Sequence, residues 1–360
     1  MNPKVSICIP AYKQPDSIVR TLESIKSQDF LDFEVVVSDD TPDESVYRAC
    51  ERFRTCFPIQ YLKNDKSLGS PGNWNRAVDA ASGKYIKIMH HDDYFSDNAS
   101  LGAFVALLDD HPGAGFAFSG SNNVDQNGQL RFVHSAKKKQ VETLRRNQNV
   151  LFFGNFIGAP SATIYRKDLG VRFDENLKWV VDLDFYYSIV RLNSHFCYTE
   201  KPLVSVCIGG DDRVTSACEN NKCVEIYEWF YFHKKLRNIE SSCFCYFNFF
   251  WNLLKKYKIY SSKEIFSCGV NFQVPGYVEH ILYCFGVFRR ITKIVYDSNE
   301  FQFLGSEQYK QDIPLNASRS FTNSPEKNIF TKEKIIAYRE LAKRLNNEHN
   351  GDQACFYLSK

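Results

Sequence analysis

The chain has 360 residues, 44% hydrophobic and 24% charged, a composition that excludes disordered, collagen-like and low-complexity classes. Its 45 basic and 42 acidic residues leave a net charge of +3, so nothing draws it globally to nucleic acid and any anion binding must be local. Twelve cysteines in so long a chain, with no charged and then apolar leader over Met1–Cys8, read as reduced thiols of a cytoplasmic protein. Cys218/Cys223 and Cys243/Cys245 lack the paired C-x2-C spacing of structural zinc.

In chain order, Val5, Ile7 and Ile9 predict a strand ending at Pro10, and Ile18, Leu22 and Ile25 a helix ending before Gln28. Phe33–Val37 is a strand buried on both faces that stops at Ser38-Asp39-Asp40, followed by a helix marked by Val46, Cys50 and Phe53. Ile59–Leu62 makes a third strand ending near Asn64. Trp74, Ala77, Val78 and Ala81 stripe a third helix closed by Gly83, and Tyr85–Met89 makes a fourth strand. This rhythm predicts an α/β fold, a mostly parallel sheet flanked by helices, with ligands outside the carboxyl ends of the strands.

Beyond it, Leu101–Leu108 reads as a helix, Phe116–Ser119 as a strand, Asn122–Gln129 as a turn, and Lys137–Arg146 as a basic helix face or loop. After Ala217 the rhythm is lost. We therefore divide the chain into a catalytic domain, 1–217, and an aromatic-rich, mainly helical region, 218–360, that ends in an amphipathic helix over Lys332–Leu345. Cys243–Leu254 is the most apolar stretch, but Asn248 and Asn252 interrupt it and it is too short to span a bilayer.

Polar residues collect at the strand ends: Asp39 and Asp40, Asn64, and His90-His91-Asp92-Asp93. Carboxylates converging on one crevice repel unless a cation or hydrogen-bond donors lie between them. Asp92 and Asp93 suit Mg²⁺ or Mn²⁺, with His90 or His91 as a further ligand, though neighbouring strand residues point to opposite faces. No G-x-G-x-x-G or G-x-x-x-x-G-K-[ST] occurs in the early crossovers, which leaves phosphate to be held by metal and favours an enzyme acting on a nucleoside diphosphate conjugate.

Lys4-Val-Ser-Ile-Cys-Ile-Pro-Ala-Tyr12, Glu34-Val-Val-Val-Ser-Asp-Asp40, Gly72-Asn-Trp-Asn-Arg-Ala77, Ser82-Gly-Lys-Tyr-Ile86 and His91-Asp-Asp93 together resemble glycosyltransferase family 2, inverting enzymes of the GT-A fold, over about the first 215 residues. The resemblance implies that Pro10, Tyr12, Asp39, Asp40, Asn64, Asn75 and Asp92 line the donor site. It also implies that Asp93, with Asp92 and an accessory His90, binds Mn²⁺ or Mg²⁺. The segment after the second strand is one residue shorter than the family's usual pattern, and His90 stands where the family often has aspartate. Val181-Asp182-Leu183-Asp184 resembles the family's later acidic motif, with Val181 replacing glutamate and Asp182 on the position of the base; without the family match, a cap for the Phe185–Leu192 helix is the better reading of Asp182.

Pro160-Ser161 and Leu203–Thr215 resemble elements flanking the acceptor, and Gly209–Thr215 reads as a mobile loop or a surface turn. The function the resemblance implies is transfer of a sugar from a nucleotide-sugar donor, with UDP as the expected nucleotide, to a glycan or lipid-linked acceptor hydroxyl in bacterial surface polysaccharide synthesis. A cytoplasmic enzyme with peripheral contact at the inner face of the membrane, and a homodimer, are the associated expectations. The rivals are a catalytically silent nucleotide- or glycan-binding protein of the same fold and a nucleotidyltransferase.

Overall fold

The structure, a computed structural model, describes residues 2–209, 218–237, 239, 243–296, 330–348 and 354–358. It forms two compact units: Met1–Tyr257 with Lys263–Val274, and Lys258–Ser262 with Pro275–Lys360. The first unit is built on β1 (Val5–Ala11), α1 (Pro15–Lys26), β2 (Phe33–Asp39), α2 (Ser45–Glu51), β3 (Ile59–Lys63), α3 (Gly69–Ala80) and β4 (Tyr85–Ile88). There follow β5 (Tyr94–Phe95), α4 (Ser100–Asp109), β6 (Phe116–Val124), β7 (Leu130–His134), α5 (Lys138–Arg146), β8 (Thr163–Arg166), α6 (Val181–Leu192) and β9 (Phe196–Cys207). Helices α7 (Lys222–Lys235) and α8 (Cys243–Lys256) follow, and α9 (Ser262–Ser267) begins at the boundary between the units.

Nine strands form one sheet in the order β3-β2-β1-β4-β8-β6-β9-β5, with β7 paired to β6. The β1, β2, β3 and β4 pairings are parallel, as the β/α rhythm predicts. From β8 onward the sheet is mixed, because β8 enters antiparallel between β4 and β6 and β7 returns on β6 as a hairpin. Every residue of β1 is buried. Val5, Ile7 and Ile9 join Val35 and Val37 in one core with Ile18, Leu22 and Ile25 of α1, Val46 of α2 and Phe104 of α4. On the opposite face Cys8 Sγ lies 3.5 Å from the Ala77 carbonyl of α3.

Two boundaries differ from the sequence reading. Strand β1 runs past Pro10 to Ala11, because β4 pairs with β1 only as far as Cys8–Ile88, while β2 continues to Ala11–Asp39. Proline therefore costs the sheet no ladder bond on the β4 side. Asn122 and Asn123, read as turn residues, belong to β6, where β7 and β9 pair on both sides and override local preference. The turn begins at Asp125, whose Oδ1 accepts from Asn127 and Gln129 N–H at 2.9 and 3.0 Å. Lys137, Lys138 and Lys139 are exposed, and α5 buries Val141 and Leu144, so the basic stretch is a solvated helix face.

The aromatic residues of α7 and α8 gather around Phe152, whose ring lies 5.2 Å from Trp229, 5.2 Å from Tyr246 and 4.7 Å from Phe249. Cys223 Sγ lies 2.7 Å from Cys268 Sγ. In the second unit, α10 (Gly276–Arg290) precedes an antiparallel pair, β10 (Ile291–Tyr296) and β11 (Ala354–Leu358). The expected C-terminal helix is α11 (Lys332–Asn347), capped by Thr331, which accepts from Lys334 N–H. Among the described residues no helix is long and apolar enough to cross a membrane.

Close approach fixes Gly83: a Cβ there would stand 2.5 Å from Ser6 N and 2.7 Å from Val5 C, whereas one at Gly113 meets nothing within 4 Å. Gly83→Ala should therefore cost about 1–3 kcal/mol in chemical denaturation, and Gly113→Ala should leave stability within roughly 0.5 kcal/mol of the parent.

Candidate active site

The carboxyl ends of β1 to β4 open onto the loop after β4, and this loop is held mainly through its backbone. The Thr21 hydroxyl of α1 is 2.9 Å from the His91 carbonyl and 2.7 Å from that of Asp93, and Arg20 Nη2 donates to the Asp92 carbonyl at 3.1 Å. The Arg20 guanidinium also lies over the Tyr94 ring, 5.0 Å from its centroid. His90 N–H donates to Ser161 Oγ at 3.0 Å, and the Ser161 carbonyl accepts from the ammonium of Lys87. Lys87 is wholly buried, donates also to its neighbour Ile88, and lies over the Phe104 ring. Burial pushes its pKa down to about 7, against the opposing pull of Asp93.

So clamped, the loop brings together ligand atoms of His90, Asp92 and Asp93, all within 4.8 Å of one another. The Asp93 carboxylate accepts from Cys207 N–H at 3.0 Å, and His90 Nδ1 lies 3.8 Å from its other oxygen. His91 turns away, its Nδ1 3.3 Å from the Pro10 carbonyl. Two carboxylates and one imidazole around a half-buried centre fit a divalent ion such as Mn²⁺ or Mg²⁺.

At the end of β2 the carboxylates are occupied by their own chain. Asp39 accepts from Thr41 N–H at 2.8 Å, from the Lys63 ammonium at 3.1 Å and from the Tyr61 hydroxyl. Asp40 accepts from Asn64 Nδ2 at 2.5 Å, Ser67 Oγ at 3.1 Å, Leu68 N–H at 3.0 Å and Gly69 N–H at 2.8 Å. Asn64 also donates to Asn73, which in turn donates to the Ala11 carbonyl. Asn75 is turned toward a different segment: it donates to the Phe173 carbonyl and the Glu175 carboxylate and accepts from Phe173 N–H. Tyr12 is exposed beside Lys13 and Gln14, whose φ angles of 56° and 53° put two bulky residues in the strained left-handed region.

An aromatic series leads from the β4 loop to the later acidic motif. Trp74 lies 4.8 Å from the His90 ring and 4.9 Å edge-on to Phe173, which stacks on Phe185 of α6 at 3.9 Å. The two aspartates in the first turn of α6 are treated oppositely. Asp184 is buried and ion-paired with Lys235, which also meets Asp174 at 3.0 Å. Asp182 has a buried Oδ1 with no hydrogen-bond partner among the described residues, and burial alone pushes its carboxyl up to about 7. It is not the helix cap: Val180 occupies that position, and the nearby N–H groups are taken by Glu228 of α7.

The Glycosyl transferase family 2 model matches residues 6–170. The chain carries a family 2 glycosyltransferase domain. Its fold is GT-A: the structure matches the crystal structure of Staphylococcus aureus TarS 1–349 in complex with UDP-GlcNAc at a TM-score of 0.53 and 17% identity, over 99% of this chain and 97% of that one. An uncharacterized Mycobacterium tuberculosis protein, MT1568, is 30% identical over 214 residues, 56% of this chain and 66% of that protein. A Campylobacter jejuni GalNAc(5)-diNAcBac-PP-undecaprenol beta-1,3-glucosyltransferase is 25% identical over 181 residues, 48% of this chain and 55% of that enzyme. The chain thus spans slightly more than half to just under two thirds of these two relatives.

Within the family 2 domain, sequence reasoning missed Arg20, Thr21 and Lys87, and beyond it Glu228 and Lys235. Lys87 carried a signal, a lone cation in the apolar strand Tyr85–Met89; Arg20, Thr21 and Glu228 act through backbone contacts that no local pattern marks, and Lys235 through ion pairs with Asp174 and Asp184. Residues 210–217, which hold most of the Gly209–Thr215 segment read as a mobile loop or a surface turn, lie outside the described residues. A cavity of about 550 Å³ between α7 and α8, lined by Phe153, Trp229, Asn248, Phe249 and Asn252 among others, includes none of the β4 carboxylates.

The state of Asp182 can be read without substrate. Its folded pKa stands above the model-compound value of 3.8, so the native state holds a proton that the unfolded chain releases, and stability falls as pH rises from about 4 through 7. Asp182→Asn should remove that decline, matching the parent near pH 4 and exceeding it at pH 8 by on the order of 2–4 kcal/mol. Urea titrations at the two pH values check this.

Proposed function

We propose that this chain is an inverting glycosyltransferase that moves a sugar from a nucleotide-sugar donor to a hydroxyl of a glycan or lipid-linked acceptor. The observation that carries the reading is the contrast among its carboxylates: His90, Asp92 and Asp93 converge at the end of β4, while the half-buried Asp182 keeps a buried Oδ1 with no hydrogen-bond partner among the described residues. The Campylobacter relative names an undecaprenol-linked acceptor, and this supports the acceptor class. UDP is the nucleotide we put first; it is the one in the TarS complex.

In this reading Asp92 and Asp93, with His90, hold the divalent ion, which when bound supplies positive charge to a leaving diphosphate. Asp39 and Asp40 set the walls of the base and ribose pocket by ordering Tyr61, Asn64 and the loop to Gly69. Pro10 and exposed Tyr12 edge the same pocket at the end of β1. Asn75 acts at a distance, fixing the segment that leads to α6. Asp182 accepts the acceptor hydroxyl proton as that oxygen bonds to the anomeric carbon and the bond to the diphosphate oxygen breaks. A single displacement inverts the centre and needs no carboxylate nucleophile. A base whose pKa lies near the working pH combines proton affinity with a sufficient ionised fraction.

Calorimetric titration with UDP, GDP, CDP and dTDP, with and without Mn²⁺, tests the donor half. One nucleotide should bind more tightly with metal, and Asp93→Ala should abolish that gain. Asp182→Asn should keep nucleotide affinity within about twofold while transfer falls by roughly 10²–10⁴. Absence of binding to all four in folded protein would support the silent binding module instead, and full transfer by Asp182→Asn would remove Asp182 from the role of base.

A further inference from the structure

The helix that carries Asp182 has no cap of its own. Val180 precedes α6 and has no side-chain acceptor, so the N–H groups at this end need partners from elsewhere. Glu228, on α7, takes the first of them and the two before it: its carboxylate accepts from the N-cap Val180 N–H at 2.9 Å, and from Lys178 N–H at 2.8 Å and Trp179 N–H at 2.7 Å in the segment that leads into the helix. Glu228 is 3% exposed. Burial raises its pKa and the three N–H groups oppose that rise. An anion is stable so deep only when it is fully hydrogen-bonded.

Seven residues along the same helix, Lys235 takes Asp184 and Asp174, and Tyr231 donates to Asp174 at 2.9 Å. Residues seven apart lie on one face of a helix. One face of α7 therefore fixes both the backbone entering α6 and the acidic side chain two residues after Asp182. A serine or aspartate at residue 180 would cap α6 locally, but it would leave the helix start free to shift against the rest of the fold. A carboxylate from a second helix ties the residues that lead into that start to a fixed point.

We propose that Glu228 is the positioning residue for Asp182: by holding from α7 the backbone that leads into α6 it sets where, and how far from water, the Asp182 carboxylate sits. The role as positioner of a catalytic base rests on the reading of Asp182 given above; the hold on its environment does not. The charged and titratable groups around this end of α6 are Asp174, Lys178, Asp184 and Tyr186 from its own segment and Glu228, Tyr231 and Lys235 from α7. Among the causes that raise the Asp182 carboxyl, burial is the one resolved, so loosening the helix start should let water in and lower its pKa.

The test is carboxyl ¹³C NMR of aspartate-labelled protein, with the Asp182 resonance identified by its loss in Asp182→Asn. In the parent it should titrate near pH 7. Glu228→Ala should move that midpoint down by at least one unit, and Glu228→Gln, which keeps an acceptor oxygen, should stay within half a unit. Glu228→Asp, with its carboxylate drawn back by one methylene, should fall between them and carries the test if the alanine variant does not fold. A midpoint that stays put in folded Glu228→Ala or Glu228→Asp, or a glutamine variant that drops as far as alanine, overturns the proposal. Turnover of Asp182→Asn separates the two layers: full transfer there removes the base reading, while the NMR midpoints still decide whether Glu228 controls the carboxyl.

Discussion

Carboxylates gathered at one end of a sheet repel one another, and this structure is organised around giving each of them a different partner. Asp39 has a lysine, a phenol and an amide; Asp40 has an asparagine, a serine and two amides; Asp184 has Lys235; Asp93 has the amide of Cys207. Those bonds occupy the carboxylates of the first three groups, whereas Asp182 Oδ1 has no hydrogen-bond partner among the described residues. The chemistry that a site can perform follows from which acid is left out of this arrangement.

The sheet makes the arrangement possible through unequal strand lengths. Because β4 stops at Ile88 while β1 and β2 continue to Ala11 and Asp39, a notch opens beside β1 at the point where strand order reverses. Helix α1 closes one side of the notch with Arg20 and Thr21, and the 160–161 turn closes the other through Ser161 and the buried Lys87 ammonium. Removing Lys87 from water is unfavourable in isolation; two carbonyls and the Phe104 ring face compensate.

The first four strands and three helices were legible from the sequence because each carries its own period and its own stop, and the acidic clusters were legible because they sit at those stops. What could not be read was tertiary in origin. Asn122 and Asn123 look like turn residues until two neighbouring strands pair with them, and Asn75 looks like its neighbours in the motif although its amide serves Phe173, about a hundred residues away. Asp182 and Asp184 are chemically identical in sequence, and only Lys235, on another helix, distinguishes them. The role of Glu228 leaves no trace in the pattern of α6, since its bonds go to main-chain atoms.

The same reliance on main-chain atoms shapes how the β4 loop can change over evolutionary time. Thr21, Arg20 and Ser161 all grip its backbone, so the side chain at position 90 can be exchanged without losing the loop's path. In the proposed metal site a histidine there would bring a nitrogen donor to a set otherwise made of oxygens, shifting preference from magnesium toward manganese and later transition metals. Under that proposal ion selectivity would be a trait adjustable by a single codon, uncoupled from the architecture that holds the other two ligands.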